Sequence, residues 1–330
     1  MVLKTILMLS LFIVPLVLIN IGVVDTVGLL FVLYIAAGFG MAGVGMGVMH
    51  DAIHGSYSKN KSVNRLLSYS MNLIGANADV WKIQHNVLHH TYTNIDEADD
   101  DINTPPFLRF TPNREWMKVH RFQHIYIWFF YSISTISWIT TKDFVRMHRY
   151  YKMGLVGSKS VYRKKMAQVA IWKAMYYVYA LVLPLIFLPF GPGVILLAFL
   201  SMHMVTGICI SAVFQTAHIM PGMKFPKMAE DGMINTDWSI HQLETTANYS
   251  PNSKVFSWLI GGLNYQVEHH LFPNICHVHY PKLSKIVKDT ADEYGIPYYS
   301  HKTFASALVQ HTRKLRNLGQ EFSTESPLMH

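Results

Sequence analysis

Residues 27–54 decide the fold of this chain, and they read VGLLFVLYIAAGFGMAGVGMGVMHDAIH. The part from Val27 to Met49 has no charged side chain and exceeds the roughly 18 apolar residues that indicate a membrane-spanning helix. Its glycines allow neighbouring helices to approach closely in lipid. His50 and His54 follow directly, and residues four apart share one face of a helix. The stretch therefore predicts a membrane helix with two imidazoles at its polar end.

Three further apolar stretches have the length of a membrane helix, namely residues 6–24, 168–190 and 194–218. Residues 124–140 form a shorter stretch with several Ser and Thr side chains. Short cytoplasmic loops are enriched in Lys and Arg, and the basic residues after this stretch are Lys142, Arg146, Arg149, Lys152, Lys159, Arg163, Lys164 and Lys165. We therefore expect four spans in two hairpins, with 124–140 interfacial or re-entrant and with both chain ends and all histidine clusters facing the cytosol. A fifth span over 124–140 is the alternative.

The composition is that of an integral membrane protein. Of the 330 residues, 51% are hydrophobic and 15% are charged, against roughly 25% charged residues in an average soluble domain. The net charge is +8, but the basic residues flank apolar segments, which disfavours nucleic-acid binding. Two cysteines, Cys209 and Cys276, are too few for a disulfide framework. We predict an all-α membrane protein of one domain, residues 1–330, with interfacial helices and a cytosolic histidine-rich cap.

Eight of the 18 histidines form four clusters where apolar segments meet polar ones. The clusters are His50 with His54, His85 with His89 and His90, His218 alone, and His269 with His270. Neutral imidazole is the commonest metal ligand among side chains. One metal ion cannot use all of these ligands, whereas two ions can share them. Adjacent histidines cannot aim both rings in one direction, so His269 and His270 can serve two different ions.

The residue types narrow the choice of metal without deciding it. Cysteine is nearly absent from the clusters, which disfavours thiolate zinc sites and iron–sulfur clusters. Imidazole suits iron, zinc, copper and nickel. The acidic residues within 96–101 are interpreted as a solvated loop, with a role in orienting ligands or docking a partner as the alternative. Four further histidines fit no cluster as cleanly, namely His203, His241, His277 and His279. Of these, His277 and His279 are interpreted as structural or as partners of the ligands.

Three motifs resemble the histidine boxes of the membrane fatty acid desaturases. Residues 50–54, HDAIH, resemble the first box, H-D-x-x-H, and residues 85–90, HNVLHH, resemble the second, H-x-x-x-H-H. Residues 266–270, QVEHH, resemble the Q-x-x-H-H third box of the front-end, linoleoyl-CoA desaturase-like members. Residues 241–249 and 264–280 are similar to the same group, and the resemblance covers roughly residues 40 to 300.

The resemblance implies an O2-dependent fatty acyl desaturase that inserts a cis double bond, with acyl-CoA or acyl-lipid as substrate. It implies two iron ions, bound by His50, His54, His85, His89, His90, His218, His269 and His270. Gln266 stands at the position where front-end members replace a histidine of the third box. Asp51, Glu268 and Asn264 are candidates for orienting the ligand rings, and the alternative is that they are interfacial polar residues without that role. No fused cytochrome b5-like domain is expected, so a separate donor, a ferredoxin or a cytochrome b5-like protein with its reductase, would supply electrons.

Two rival functions stay open at this stage. A fatty acyl or lipid hydroxylase of the same superfamily would share the metal site and form a different product. A membrane metal-ion transporter would place polar residues near the middle of its spans. The midpoints of the four spans are apolar and the clustered histidines lie at their ends, which counts against transport.

Overall fold

The computed structural model of the chain describes residues 1–228, 234 and 236–321. It is 68% helix and 1% strand, which confirms the all-α class. The chain forms two compact units, each assembled from two separate segments. The first unit contains residues 1–83 and 131–211, and the second contains residues 84–130 and those from 212 onward. A single functional domain over residues 1–330 stays a prediction.

Four helices of the described residues are long and apolar enough to cross a membrane, in agreement with the expected number. They are Val2–Asn20, Val27–His54, Lys159–Phe187 and Pro192–His218. The third begins nine residues before the apolar stretch because the Ser158 side chain accepts a hydrogen bond from the backbone N–H of Val161, which caps the helix. The stretch 124–140 is helical but does not belong to this set. The hairpin arrangement and the orientation of the spans stay predictions.

The α-helices in chain order are α1 (Val2–Asn20), α2 (Val27–Val44), α3 (His50–His54), α4 (Lys61–Ser68), α5 (Ser70–Leu73), α6 (Ala78–Lys82), α7 (Gln123–Ser137), α8 (Asp143–Lys152), α9 (Lys159–Tyr177), α10 (Leu183–Phe187), α11 (Pro192–His218), α12 (Trp238–Thr245), α13 (Lys254–Leu259), α14 (Gln266–Leu271), α15 (Tyr280–Glu293) and α16 (Phe304–Leu318). Wider π-helical turns occupy Gly45–Met49, Ile83–His89, Trp138–Lys142 and Val178–Val182. Short 3-10 helices occupy Lys118–Phe122 and His277–His279.

Helices α2 and α11 of the first unit approach each other closely at Gly38. A Cβ atom at this position would lie 2.6 Å from the carbonyl oxygen of Met202, closer than any side chain tolerates. The hydroxyl of Thr206 also donates a hydrogen bond of 2.9 Å to the Gly38 carbonyl oxygen. The glycine-rich composition of residues 27–49 therefore does allow a close helix–helix contact, as the sequence predicted.

The interior of the first unit contains a buried histidine, His203, whose two ring nitrogens both have partners. The Tyr176 hydroxyl lies 2.7 Å from Nε2, and the Thr135 hydroxyl lies 3.1 Å from Nδ1. The Thr135 hydroxyl in turn donates to the His203 carbonyl oxygen at 3.0 Å. These directions are mutually consistent when the Nδ1–H of His203 donates to Thr135 and Nε2 accepts from Tyr176. A neutral imidazole is thus fully satisfied there.

The second unit fixes α14 through a short sheet. Strands β1 (Asn248–Tyr249) and β2 (Ser300–His301) pair in parallel. Asn248 of β1 anchors α14 through its side chain. Its Oδ1 accepts a hydrogen bond from the backbone N–H of Val267 at 2.9 Å, and its Nδ2 donates to the Glu268 carboxylate at 2.8 Å. Val267 is buried with Leu243 and Val287, the core of this region. The anchor sets the position of α14 and of the histidines that it carries.

Candidate metal centre

The first histidine box lies in the first unit, where α3 ends the helix Val27–His54. Gly55 terminates it with φ of +76°, a conformation that glycine adopts without strain. The rings of His50 and His54 have centroids 4.8 Å apart, so the spacing of four residues does place them on one helix face as predicted. Both rings are buried and pack in T-shaped arrangements with the Trp81 ring, with centroid distances of 5.6 and 6.1 Å. Asp51 Oδ1 lies 3.8 Å from His50 Nδ1.

The second histidine box lies in the second unit, in the π-helical turn Ile83–His89. The backbone here is a π-helical turn in place of a regular α-helical turn. The backbone N–H of His90 donates to the carbonyl oxygen of His85 at 3.0 Å, a bond that spans five residues instead of four. The wider turn directs three rings to one region: the His85 ring lies 5.1 Å from the His89 ring and 4.7 Å from the His90 ring, measured between centroids.

The third box and the lone histidine complete the set in the second unit. On α14, Gln266 is a neighbour of both His269, three residues on, and His270, four residues on, because residues three and four apart are adjacent on a helix. His218 is the last residue of α11. All four side chains are buried. The ring centroid of His218 lies 4.7 Å from that of His89 and 4.8 Å from that of His270.

Three Nε2 atoms of the second unit converge in one group. The Nε2 of His90 lies 3.3 Å from that of His85 and 3.1 Å from that of His269. Imidazole nitrogens about 2.1 Å from one metal, at angles of about 90–110°, lie roughly 3.0–3.4 Å apart. Neutral rings with lone pairs facing one another are otherwise unfavourable. The spacing therefore fits three ligands of a single ion.

His89, His218 and His270 form a second group, and their potential ligand atoms all lie within 4.8 Å of one another. The Nε2 atom of each is buried and has no hydrogen-bond partner among the described residues. The side-chain nitrogen of Gln266 is also buried and has no hydrogen-bond partner within the described part of the chain. Buried polar atoms in native proteins are nearly always paired. Such a concentration of unsatisfied nitrogens fits a site that a metal ion completes.

In the group of His89, His218 and His270, the Nδ1 atom of each ring lies within hydrogen-bond distance of an oxygen atom. His89 Nδ1 lies 3.0 Å from Asp99 Oδ1, and His270 Nδ1 lies 2.8 Å from Gln242 Oε1. His218 Nδ1 lies 3.3 Å from the Thr245 carbonyl oxygen. A proton on Nδ1 satisfies each oxygen and leaves a lone pair on Nε2, which is the tautomer that metal-ligating histidines use.

In the group of His85, His90 and His269, two rings also have an oxygen near Nδ1. Asp101 Oδ2 lies 3.4 Å from His85 Nδ1, and the Tyr280 hydroxyl lies 3.2 Å from His269 Nδ1. Burial opposes a charged imidazole at His89, but the carboxylates of Asp99 and Asp101 outweigh it and raise the pKa of His89 to about 9. The two carboxylates favour positive charge in this region, whether a proton or a metal ion supplies it.

Sequence reasoning missed several of these supports. Asp99 and Asp101 belong to the acidic segment interpreted as a solvated loop, yet Asp99 is fully buried. The remaining missed supports are Gln242, Thr245 and Tyr280, which no metal-ligand pattern identifies.

Two of the expected supports contact other groups. Glu268 was expected to orient a ring, but its carboxylate accepts from Asn248 and from the Tyr298 hydroxyl at 2.8 Å each. One residue before His269, it projects about 100° away around the helix. The Oδ1 atom of Asn264 likewise accepts a hydrogen bond from the Ser257 hydroxyl at 2.8 Å.

Known proteins similar to this chain are desaturases. Residues 26–302 match the family model described as fatty acid desaturase. The chain is 35% identical to the sn-1 linoleoyl-lipid 6-desaturase of Arthrospira platensis over 289 aligned residues. The alignment covers 86% of this chain and 76% of that protein. Identity to the sn-1 linoleoyl-lipid 6-desaturase of Synechocystis sp. is 35% over 290 residues, covering 85% and 78%. The acyl-lipid (8-3)-desaturase of Physcomitrium patens is 35% identical over 300 residues, covering 89% and 61%.

Proposed function

The chain belongs to the fatty acid desaturase family, and on this premise we propose that it inserts a cis double bond into an acyl chain at a histidine-bound di-iron centre. It is a multi-pass membrane oxidoreductase of lipid metabolism. The family generally uses a di-iron centre, and the second unit contains two groups of converging histidine nitrogens that could hold metal. The observation that carries the proposal is the convergence of buried, oxygen-supported imidazoles in that unit.

The proposed ligands divide into two groups in the second unit. His85, His90 and His269 serve one iron, and His89, His218 and His270 serve the other. The ligand set implied by the resemblance also contains His50 and His54, and both stay in the proposal. Gln266 is proposed to act through its amide, either on an iron or through a water molecule.

The chain's own residues set the conditions for this chemistry. When bound, two irons supply the O2 activation that removal of hydrogen from an unactivated methylene requires. Asp99 and Gln242 hold the Nδ1 protons of His89 and His270, which keeps the Nε2 lone pairs directed inward. The carboxylates of Asp99 and Asp101 offset part of the metal charge. Burial of these rings excludes water from a reactive oxidant.

The substrate is proposed to be an acyl chain esterified in a membrane lipid. Two of the similar proteins are named for action on linoleoyl lipid and a third for action on acyl lipid. The four apolar helices would keep the enzyme in the same membrane as such a substrate. Acyl-CoA is the alternative carrier.

The active site is proposed to face the cytosol. The basic segment from Lys142 to Lys165 supports this orientation, because short cytoplasmic loops are enriched in Lys and Arg. Replacing Lys159 by Cys, after changing Cys209 and Cys276 to Ser, would report the side of the membrane. Labelling by a membrane-impermeant reagent only after the cytosolic side is opened is expected; labelling from outside would contradict the proposal.

Expression in a host that lacks the product tests the reaction itself. Mass spectrometry of the lipids should show loss of two hydrogens from an acyl chain, dependent on O2, and should locate the new double bond. Labelled linoleoyl lipid and linoleoyl-CoA, supplied separately to membranes, distinguish the two carriers. Purified active protein should contain about two irons per chain. A hydroxylated product would favour the hydroxylase alternative, and full activity with zinc alone would disprove the di-iron centre.

A further inference from the structure

We propose that the outward face of α15 is the docking surface for an acidic one-electron carrier, an iron–sulfur or haem protein that reduces the metal centre. The inference rests on the proposed function, since an O2-dependent desaturation needs a reductant. The docking face consists of Lys282, Lys285 and Ile286 of α15 together with Val278 of the preceding 3-10 helix, all of them exposed.

The helix α15 separates a buried stripe from the docking face. Its inner residues, Tyr280, Val287 and Ala291, are buried. The apolar members of the docking face are open to solvent, with Ile286 63% exposed and Val278 51% exposed. Lysines beside exposed apolar side chains give a surface that attracts an acidic protein and then excludes water from a small contact.

The charges along α15 run against the preference of the helix itself. Three lysines occupy its first two-thirds and three acidic residues its end: Lys282, Lys285 and Lys288, then Asp289, Asp292 and Glu293. The helix dipole favours acids at the start and bases at the end. The three lysines also form no ion pair with another described residue. Local stability therefore does not account for this positive surface, whereas a negatively charged partner does.

The docking face is joined to the metal centre through the first residue of the same helix. The Tyr280 hydroxyl lies 3.2 Å from Nδ1 of His269, one of the proposed ligands. Lys282 lies two residues further along the chain. A carrier seated on this face would approach a proposed ligand by a short path of covalent bonds and one hydrogen bond.

The reaction sets what the carrier must deliver. One –CH2–CH2– unit and one O2 become one –CH=CH– unit and two waters. Two of the electrons that reduce O2 come from the two C–H bonds, and the other two come from the carrier with two protons from solvent. A one-electron carrier must therefore dock twice per turnover, which favours a small, charge-guided and readily reversible contact.

An anionic membrane surface would also attract the lysines. A lipid contact would leave the link between Tyr280 and His269 without a purpose.

The test measures binding of an acidic [2Fe–2S] ferredoxin and of an acidic cytochrome b5-type protein to the chelator-treated chain in neutral-lipid nanodiscs. Lys282→Glu with Lys285→Glu should weaken the binding of a carrier at least about tenfold and reduce its salt dependence. The matched control, Lys159→Glu with Lys164→Glu on α9, should stay within about twofold of the parent. Equal weakening by both pairs, no effect of the first pair, or no binding of either carrier to the parent would overturn the proposal.

Turnover assays separate this proposal from the proposed function. With the carrier as reductant, the Lys282/Lys285 variant should need more carrier for half-maximal rate and keep its maximal rate; with a small chemical reductant it should match the parent. Absence of desaturation under both reductants would refute the proposed function instead. The same variant can also be compared with the parent in nanodiscs that contain anionic lipid. If anionic lipid changes the turnover of the parent but not of the variant, and the carrier binds both equally, α15 is a lipid contact and the docking proposal is wrong.

Discussion

His203 in the first unit and His89, His218 and His270 in the second are all buried, yet their rings differ in what surrounds them. Both nitrogens of His203 have hydrogen-bond partners in Tyr176 and Thr135. The three rings of the second unit use only Nδ1, and their Nε2 atoms have no partner among the described residues. Burial is common to both kinds of ring. The proposed difference between a structural histidine and a ligand is therefore the state of the second nitrogen, together with the convergence of several such nitrogens.

The largest effect is expected from removing a ring of the second group. His270→Ala and His89→Ala should each abolish desaturation and lower iron content, because the remaining ligands no longer complete the coordination. Lipid analysis and metal analysis of the purified, membrane-inserted variants measure both effects. Parent-level product from either variant would remove that residue from the site.

A severe but different effect is expected at Gln266. Gln266→Ala should reduce activity strongly while most of the iron remains, because the imidazoles still bind it and an amide is a weaker ligand. Gln266→His need not restore activity, since an added ring changes the coordination. Product yield per bound iron is the measurement. Unchanged activity in Gln266→Ala would make the residue purely structural.

An intermediate effect is expected from the groups that hold Nδ1. Asp99→Asn should lower iron affinity or activity by about 10- to 100-fold, because loss of such a partner weakens a metal–histidine bond by that amount. Glu268→Gln is the matched control: Glu268 is a buried carboxylate bonded to Asn248 and Tyr298, so its variant should retain the iron affinity of the parent. Comparable loss of iron in both variants would show that buried charge, and not ring support, determines metal binding.

The sharpest test of the comparison is His241. Its Nε2 is buried without a partner among the described residues, as in the proposed ligands, but it belongs to no group of three potential ligands there. His241→Ala should therefore keep the iron content of the parent. Loss of iron from this variant would show that convergence is not the deciding property.

The smallest effect on the metal is expected from His203→Phe. This change leaves the buried Tyr176 hydroxyl without its acceptor and should lower stability by about 1–3 kcal/mol with iron content unchanged, while Thr135 keeps its hydrogen bond to the backbone carbonyl oxygen of residue 203. Adding Tyr176→Phe should recover part of the loss, since the unsatisfied hydroxyl is then removed. Thermal unfolding in detergent measures both. Loss of iron from His203→Phe would show that a histidine with both ring nitrogens hydrogen-bonded still affects metal binding.

The sequence predicted the elements whose signal is local. Residues 27–54 identify a membrane helix and its histidine pair because apolar length and four-residue spacing are properties of one segment. The partners of the rings depend on contacts distant in the chain: Gln242 reaches His270 across 28 residues, and Thr245 reaches His218 across 27. Asp99 was hidden differently, since an acidic run is usually solvated and only the fold buries it against His89.

The π-helical turn Ile83–His89 has a consequence for how this segment can vary. A turn closed over five residues contains one residue more than an α-helical turn, so the directions of His85, His89 and His90 depend on that additional residue. Deleting one residue would restore a regular and intrinsically more stable helix, but it would rotate His85 by about 100° away from the other two rings. Local helix stability and ligand direction are in conflict in this segment. A change in the number of residues in this segment is therefore incompatible with the proposed metal centre.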